Sequence, residues 1–261
     1  MPFGSKHPEL VDVAEVESFS AEYLISLAAV AVVCGVLVAA ARLRPGGWTG
    51  PFAKEMAVLL VVNQVSWYMV ERNSLSVQWS LPLGLCEIGT FIAAAALWWR
   101  RPLLVELTYF WGLGGTIQAL LTPELFNLFP SYFYFQFYVN HGGIVLAALY
   151  LVGGLGLVPK RGAVVRVAAI TICYLVAIAG VNRLTGGNYL FLVHPPPTFS
   201  LLNLLGPWPW YIGSMILLGI AVLFILDLPL RAARLRTPES GPLPRIGRPM
   251  PAVPRGRRPV A

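Results

Sequence analysis

Seven apolar runs, each about 20 residues long, dominate the chain and decide its class. They extend roughly over Phe19–Ala41, Phe52–Glu71, Leu81–Trp99, Leu103–Leu121, Tyr132–Gly154, Val164–Leu184 and Trp208–Leu228. At about 1.5 Å per helical residue, a run of this length crosses a hydrocarbon core about 30 Å thick. The basic residues then set the orientation. Together with the span ends beside them, the first, third and fifth connections hold Arg42, Arg44 and Lys54, then Arg100 and Arg101, then Lys160, Arg161 and Arg166. Eight more arginines follow the seventh run, whereas the N-terminal segment and the even connections carry Lys6, Arg72 and Arg183 alone. Sixteen of the 19 basic residues therefore fall on one side. The positive-inside rule makes that side cytoplasmic and the N-terminus extracytoplasmic, and an odd number of spans agrees. The expectation is an all-α, polytopic membrane protein with seven transmembrane helices.

Composition supports this class: 57% hydrophobic and 12% charged residues leave more apolar surface than a soluble domain of 261 residues can bury. The net charge of +7 sits at membrane edges and in the tail, where topology and anionic headgroups account for it without a nucleic-acid partner. The first twenty residues are acidic (Glu9, Asp12, Glu15, Glu17) and unlike a cleavable signal. Three parts are expected. Residues 1–18 form an extracytoplasmic segment and 19–236 a seven-helix membrane domain. Residues 237–261 form a cytoplasmic tail too rich in Pro and Arg to pack a core. The sixth connection, TGGNYLFLVHPPPTFSLLNLLGPWPW, is too punctuated for one helix.

Polar residues inside a membrane are costly and face the bundle interior, so their depth is informative. Counting from the outer ends, Cys86 lies about 8 Å down the third span and His141 about 12 Å down the fifth. Asn63 and Gln64 lie about 11 Å down the second span, and Gln118 about 5 Å down the fourth. Glu87 adjoins Cys86, Asn140 adjoins His141, and Asn182 lies near the outer end of the sixth span. Five helices thus bring polar groups to the outer half, which predicts a cavity open to the extracytoplasmic leaflet.

Cys86 and His141 are the right types for a thiolate nucleophile and its base. Gln118, Asn140 or Asn182 is a candidate to orient the imidazole or hold an oxyanion, with Gln64 and Glu87 as further contacts. The competing reading makes Cys86 a small packing residue, as Cys34 and Cys173 are taken to be. With all three cysteines placed within spans, a disulfide framework is not expected. No paired ligand spacing supports a metal, and no diffusible cofactor is required. The glycines of GLGG (Gly112, Gly114, Gly115) and of HGG (Gly142, Gly143) are read as close-packing positions. A retinal protein needs a lysine in the last span, and Lys6, Lys54 and Lys160 all lie outside that span.

The segments LPLGLCEIG (Leu81–Gly89), ELTYFWGLGGTIQALLTPEL (Glu106–Leu125), FPSYFYFQFYVNHGGIVLAALYLV (Phe129–Val152), GVNRLTGGNYLFL (Gly180–Leu192) and LLNLLGPWPWY (Leu201–Tyr211) form a combined pattern. The pattern resembles the YwaF-like family of bacterial integral membrane proteins, related to a eukaryotic transmembrane acyltransferase that remodels phospholipids. More distantly, the architecture is similar to androgen-induced-gene-type lipid hydrolases. The resemblance implies a bacterial cytoplasmic-membrane protein whose partners are membrane lipids, with a phospholipid or lysophospholipid as substrate. By position, Cys86 matches the family's LPLxLC cysteine and His141 its HG motif. Gly84 departs from the pattern, since relatives often carry a bulkier polar residue there. Two functions are therefore expected to compete: a Cys86/His141 acyltransferase or acyl hydrolase, and a non-enzymatic binder or permease for a small amphiphile.

Overall fold

The computed structural model describes residues 20–122, 129–195 and 201–236. Every regular element among them is helical: α1 (Ala21–Leu43), α2 (Thr49–Val70), α3 (Leu85–Trp99), α4 (Pro102–Trp111), α5 (Ile117–Leu121), α6 (Tyr132–Leu149), α7 (Ala163–Thr185), α8 (Leu201–Leu204) and α9 (Trp210–Arg236). A π-helical turn, Gly112–Thr116, joins α4 to α5, and a second, Tyr150–Gly154, continues α6. The segments at 1–18 and 237–261 lie outside the described residues.

Helix boundaries follow local chemistry. The Ser20 hydroxyl accepts from the Tyr23 N–H at 3.3 Å to start α1, and Ser131 accepts from Tyr134 N–H at 3.2 Å to start α6. Pro102 opens α4, where its missing N–H costs nothing. The third apolar run begins at Leu81 in sequence but coils only from Leu85, because Pro82 and the extended Gly84 hold the chain open before it. The last helix runs past its expected end at Leu228 and carries Pro229 within it.

Among the described residues, four helices are long and apolar enough to cross a membrane: Ala21–Leu43, Tyr132–Gly154, Ala163–Thr185 and Trp210–Leu235. α3 is apolar but shorter. α2 is long enough, but Lys54, Glu55, Asn63 and Gln64 dilute it, and the fourth run divides at its π-turn. Within its most apolar stretch the α6 helix is 61% buried, against 11% for α1 and 17% for α7 and α9. α6 is therefore the central helix, packed by α1, α2, α3 and α4, while α7 and α9 pair at the periphery. The two glycines after His141 permit that packing. A Cβ on Gly142 would lie 2.9 Å from Val30 Cγ2 of α1, and one on Gly143 2.6 Å from Leu60 Cδ2 of α2.

The basic ends meet at one end of the bundle. Arg42 Nη1 donates to Gly153 O at 3.1 Å, the Tyr150 hydroxyl to Thr49 O at 3.0 Å, and Arg234 Nε to Pro159 O at 2.7 Å. Lys54 Nζ stands 5.4 Å from the centre of the Trp98 ring. Glu106, 2% exposed, is held there by Arg166, whose Nη2 and Nε donate to its two carboxylate oxygens at 2.6 and 3.0 Å.

Candidate functional site

The opposite half of the bundle gathers the polar side chains. Cys86 and Glu87 occupy the first turn of α3, and Thr90 follows one turn later. Thr90 Oγ1 lies 2.8 Å from the Cys86 carbonyl oxygen and 2.8 Å from Asn140 Oδ1 of α6. A threonine hydroxyl has one proton to give, so the second contact is best satisfied with the Asn140 amide rotated to donate. This buried link ties the turn carrying Cys86 to the turn carrying His141.

His141 is oriented by its own helix. Its Nδ1 lies 2.9 Å from the Phe137 carbonyl oxygen, and the Phe137 ring lies against the imidazole with centroids 4.1 Å apart. A carbonyl can only accept, so Nδ1 carries the proton and Nε2 holds the free lone pair. Nε2 makes no hydrogen bond among the described residues. Cys86 has a different neighbour: Thr116, on the π-helical turn, stands near the thiol. Among the described residues no hydrogen bond joins the Cys86 thiol to His141 directly.

Gln64 of α2 and Glu87 of α3 stand on two helices packed against each other. Gln64 Oε1 and Glu87 Oε2 are buried and accept no hydrogen bond among the described residues. Two orphaned acceptors suit a ligand that brings hydroxyl or ammonium donors. Glu87 folds back toward the backbone N–H groups of Gly84 and Glu87, filling the space beside Gly84. A Cβ at residue 84 would overlap Glu87 Oε2. The absent side chain at 84 is thus matched by the carboxylate three residues on.

Two expected contacts stand elsewhere. Gln118 is exposed, and its Nε2 donates to Thr122 Oγ1 at 3.1 Å. Asn182 is buried, but both ends of its amide serve the Tyr189 backbone, donating to the carbonyl at 2.9 Å and accepting from the N–H at 2.8 Å. The Tyr189 hydroxyl in turn donates to Val77 O at 3.0 Å and accepts from Leu81 N–H at 2.9 Å. The Tyr174 hydroxyl donates to Leu83 O at 2.7 Å. Asn182 therefore acts through Tyr189 on the strap, residues 77–84, that leads into the α3 turn carrying Cys86. Thr90, Thr116, Tyr174 and Tyr189 are the additions the structure makes to the sequence-derived set. Hydroxyls within helices give no periodic signal, and the glycines of GLGG were the one cue to a bend beside Thr116.

Beside the polar cluster an apolar groove of about 550 Å³ runs along α1 from Leu27 to Arg42, against Leu120 of α5 and Val145 of α6. Val30 in its wall is the residue that closes on Gly142. Cys34 also lines this groove, while Cys173 is exposed on α7. Among the described residues no group of three His, Cys, Asp or Glu side chains is placed to hold a metal ion.

Long apolar helices, a polar cluster sunk within them and an apolar groove beside it define a multi-pass helical membrane protein. The TMEM164 family matches over residues 18–227, most of the chain, and the protein belongs to that family. No curated protein and no solved structure matches it.

Proposed function

We propose that this is a YwaF-like bacterial enzyme of the cytoplasmic membrane that moves acyl groups between lipids through Cys86 and His141. In this reading α2, α3 with its leading strap, and the α4–α5 unit cross the membrane as well as the four longer helices. The N-terminus is then extracytoplasmic and the C-terminus cytoplasmic. Support comes from the gathering of Arg42, Lys54, Arg100 and Arg234 at one end of the bundle.

The observation that carries the chemistry is the unbonded Nε2 of His141, one residue from the Asn140–Thr90 link to Cys86. Nε2 takes the thiol proton, and the thiolate attacks the carbonyl carbon of a phospholipid ester. In this scheme Thr116, near the thiol, donates to the oxyanion. Collapse expels the lysolipid oxygen, which receives the proton from His141, and leaves an acyl thioester on Cys86. A second lipid hydroxyl, or water, gives its proton to His141 and attacks the thioester, and the thiolate departs. Contact between thiol and imidazole tightens when substrate fills the cluster. The 550 Å³ groove supplies an apolar berth for an acyl chain, and Gln64 and Glu87 supply acceptors for headgroup or acceptor-lipid donors. Glu87 and Gln64 bind; neither is needed as acid or base. Gln118 at the rim and Asn182 behind the strap assist from outside the reacting atoms.

A specific feature favours the second reading, a binder or permease: among the described residues no hydrogen bond joins the Cys86 thiol to His141. Acyl exchange in proteoliposomes separates the two. The enzyme reading expects Cys86→Ala to abolish exchange and His141→Ala to lower it by about 10²–10⁴-fold. Exchange unchanged in Cys86→Ala, with the variant folded, rejects the thioester route.

A further inference from the structure

Away from this cluster, a pocket of about 340 Å³ opens where α7 begins and α9 ends. Its walls include three guanidinium groups, Arg161, Arg231 and Arg234, against a single carboxylate, Asp227. Asp227 is fully engaged: Arg231 Nε donates to Oδ2 at 2.9 Å and Arg234 Nη2 to Oδ1 at 2.6 Å. Arg234 is also anchored to the Pro159 carbonyl and is 14% exposed, so it is a fixed wall. Arg231 is 56% exposed and keeps donors free of Asp227. Arg161 is exposed, and its guanidinium makes no hydrogen bond among the described residues. The neighbouring Arg166 is neutralised by Glu106 and adds nothing to the surplus.

The backbone adds to the same field. α7 is 23 residues long and its N-cap is Gly162, a pocket-lining residue without a side chain to cap the first turn. The Ala163 N–H is paired with the Lys160 carbonyl at 3.1 Å, and the positive end of the α7 dipole favours an anion beside Gly162. The surroundings are apolar. Leu235 lines the pocket at 79% exposure, and Leu228 and Val165 on adjoining turns are 56% and 69% exposed. α7 and α9 are both long, largely uncovered apolar helices, so the pocket sits where two spans leave the hydrocarbon.

We infer that this pocket binds the phosphate of an anionic membrane lipid, with Arg161 and Arg231 as the recognising groups and Leu228 and Val165 flanking its acyl chains. Guanidinium forks match phosphate oxygens in pairs, and the apolar flanks select a phosphate carried on a lipid over one free in water. The site is separate from the Cys86 cluster and stands whether or not that cluster is catalytic.

The test uses full-length protein in neutral detergent, titrated with phosphatidylglycerol, with phosphatidylcholine, or with inorganic phosphate, and followed by native mass spectrometry and thermal melting. Phosphatidylglycerol is expected to bind and raise Tm, and the other two to do neither. Arg161→Gln is expected to weaken phosphatidylglycerol binding about tenfold, the loss of one charge-assisted contact, without changing the Tm of lipid-free protein. Arg161→Lys should recover part of the loss. Equal binding of phosphatidylcholine, or undiminished binding in both Arg161→Gln and Arg231→Gln, overturns the site. Inorganic phosphate as effective as the lipid overturns the lipid assignment.

Discussion

Thr90 Oγ1 lies 2.8 Å from Asn140 Oδ1, and through that contact the turn bearing Cys86 is fixed to the turn bearing His141. Both residues are buried, Thr90 at 0% and Asn140 at 4% exposure, so neither can turn to water instead. Thr90→Val keeps the shape and removes the hydroxyl, leaving the Asn140 amide short of a partner. The expected cost is about 1–3 kcal/mol of stability, read as a lower midpoint in thermal or denaturant unfolding. Thr90→Ser should restore most of it; equal loss in both variants would assign the effect to packing alone.

Gly84 and Glu87 compete for one space. Gly84→Ala forces the carboxylate out of its fold-back position, with an expected penalty of about 1–3 kcal/mol from overpacking. In a Glu87→Ala background the same substitution should be close to neutral. A double-mutant cycle with no coupling between the two positions contradicts this account.

The strap before Cys86 depends on a close approach at Gly187. A Cβ there would lie 2.5 Å from the Gln78 carbonyl oxygen, which is backbone and has no rotamer to change. Gly187→Ala and Asn182→Ala should both loosen the strap, and hydrogen exchange at residues 77–83 should rise in each. Exchange confined to the substituted loop would show that Tyr189 does not transmit the change.

Glu106 and Arg166 hold α4 to α7 across a boundary that is buried on one side and open on the other, at 2% and 44% side-chain exposure. Arg166→Gln strands a buried carboxylate. Discounted for the solvent-exposed partner, the expected cost is about 2 kcal/mol. Glu106→Gln/Arg166→Gln together should cost less than Arg166→Gln alone, as unfolding midpoints will report.

Much of this was legible in the sequence, and the parts that were not share a cause. The sixth run, Val164–Leu184, coincides within a residue with α7, because Gly162 and Gly186 flank it and its charged residues, Arg166 and Arg183, stand near its two ends. The structure links the turn of Cys86 to the turn of Asn140 and His141 through Thr90. Direction around the helix was not legible. In a membrane the lipid-facing and core-facing sides are both apolar, so periodicity does not say which way Gln118 points, and it points outward. The partners of Asn182 and Thr116 are tertiary or arise from a π-turn, and neither leaves a mark in residue spacing.

The central claim is the acyl thioester on Cys86, and intact-protein mass spectrometry after incubation with phospholipid tests it most directly. The account predicts a fatty-acyl mass increment on the wild-type chain that hydroxylamine releases and Cys86→Ala lacks, with His141→Ala tested in parallel to trap a slow deacylation. Protein that demonstrably binds lipid yet shows no increment, in wild type and in His141→Ala alike, would contradict it.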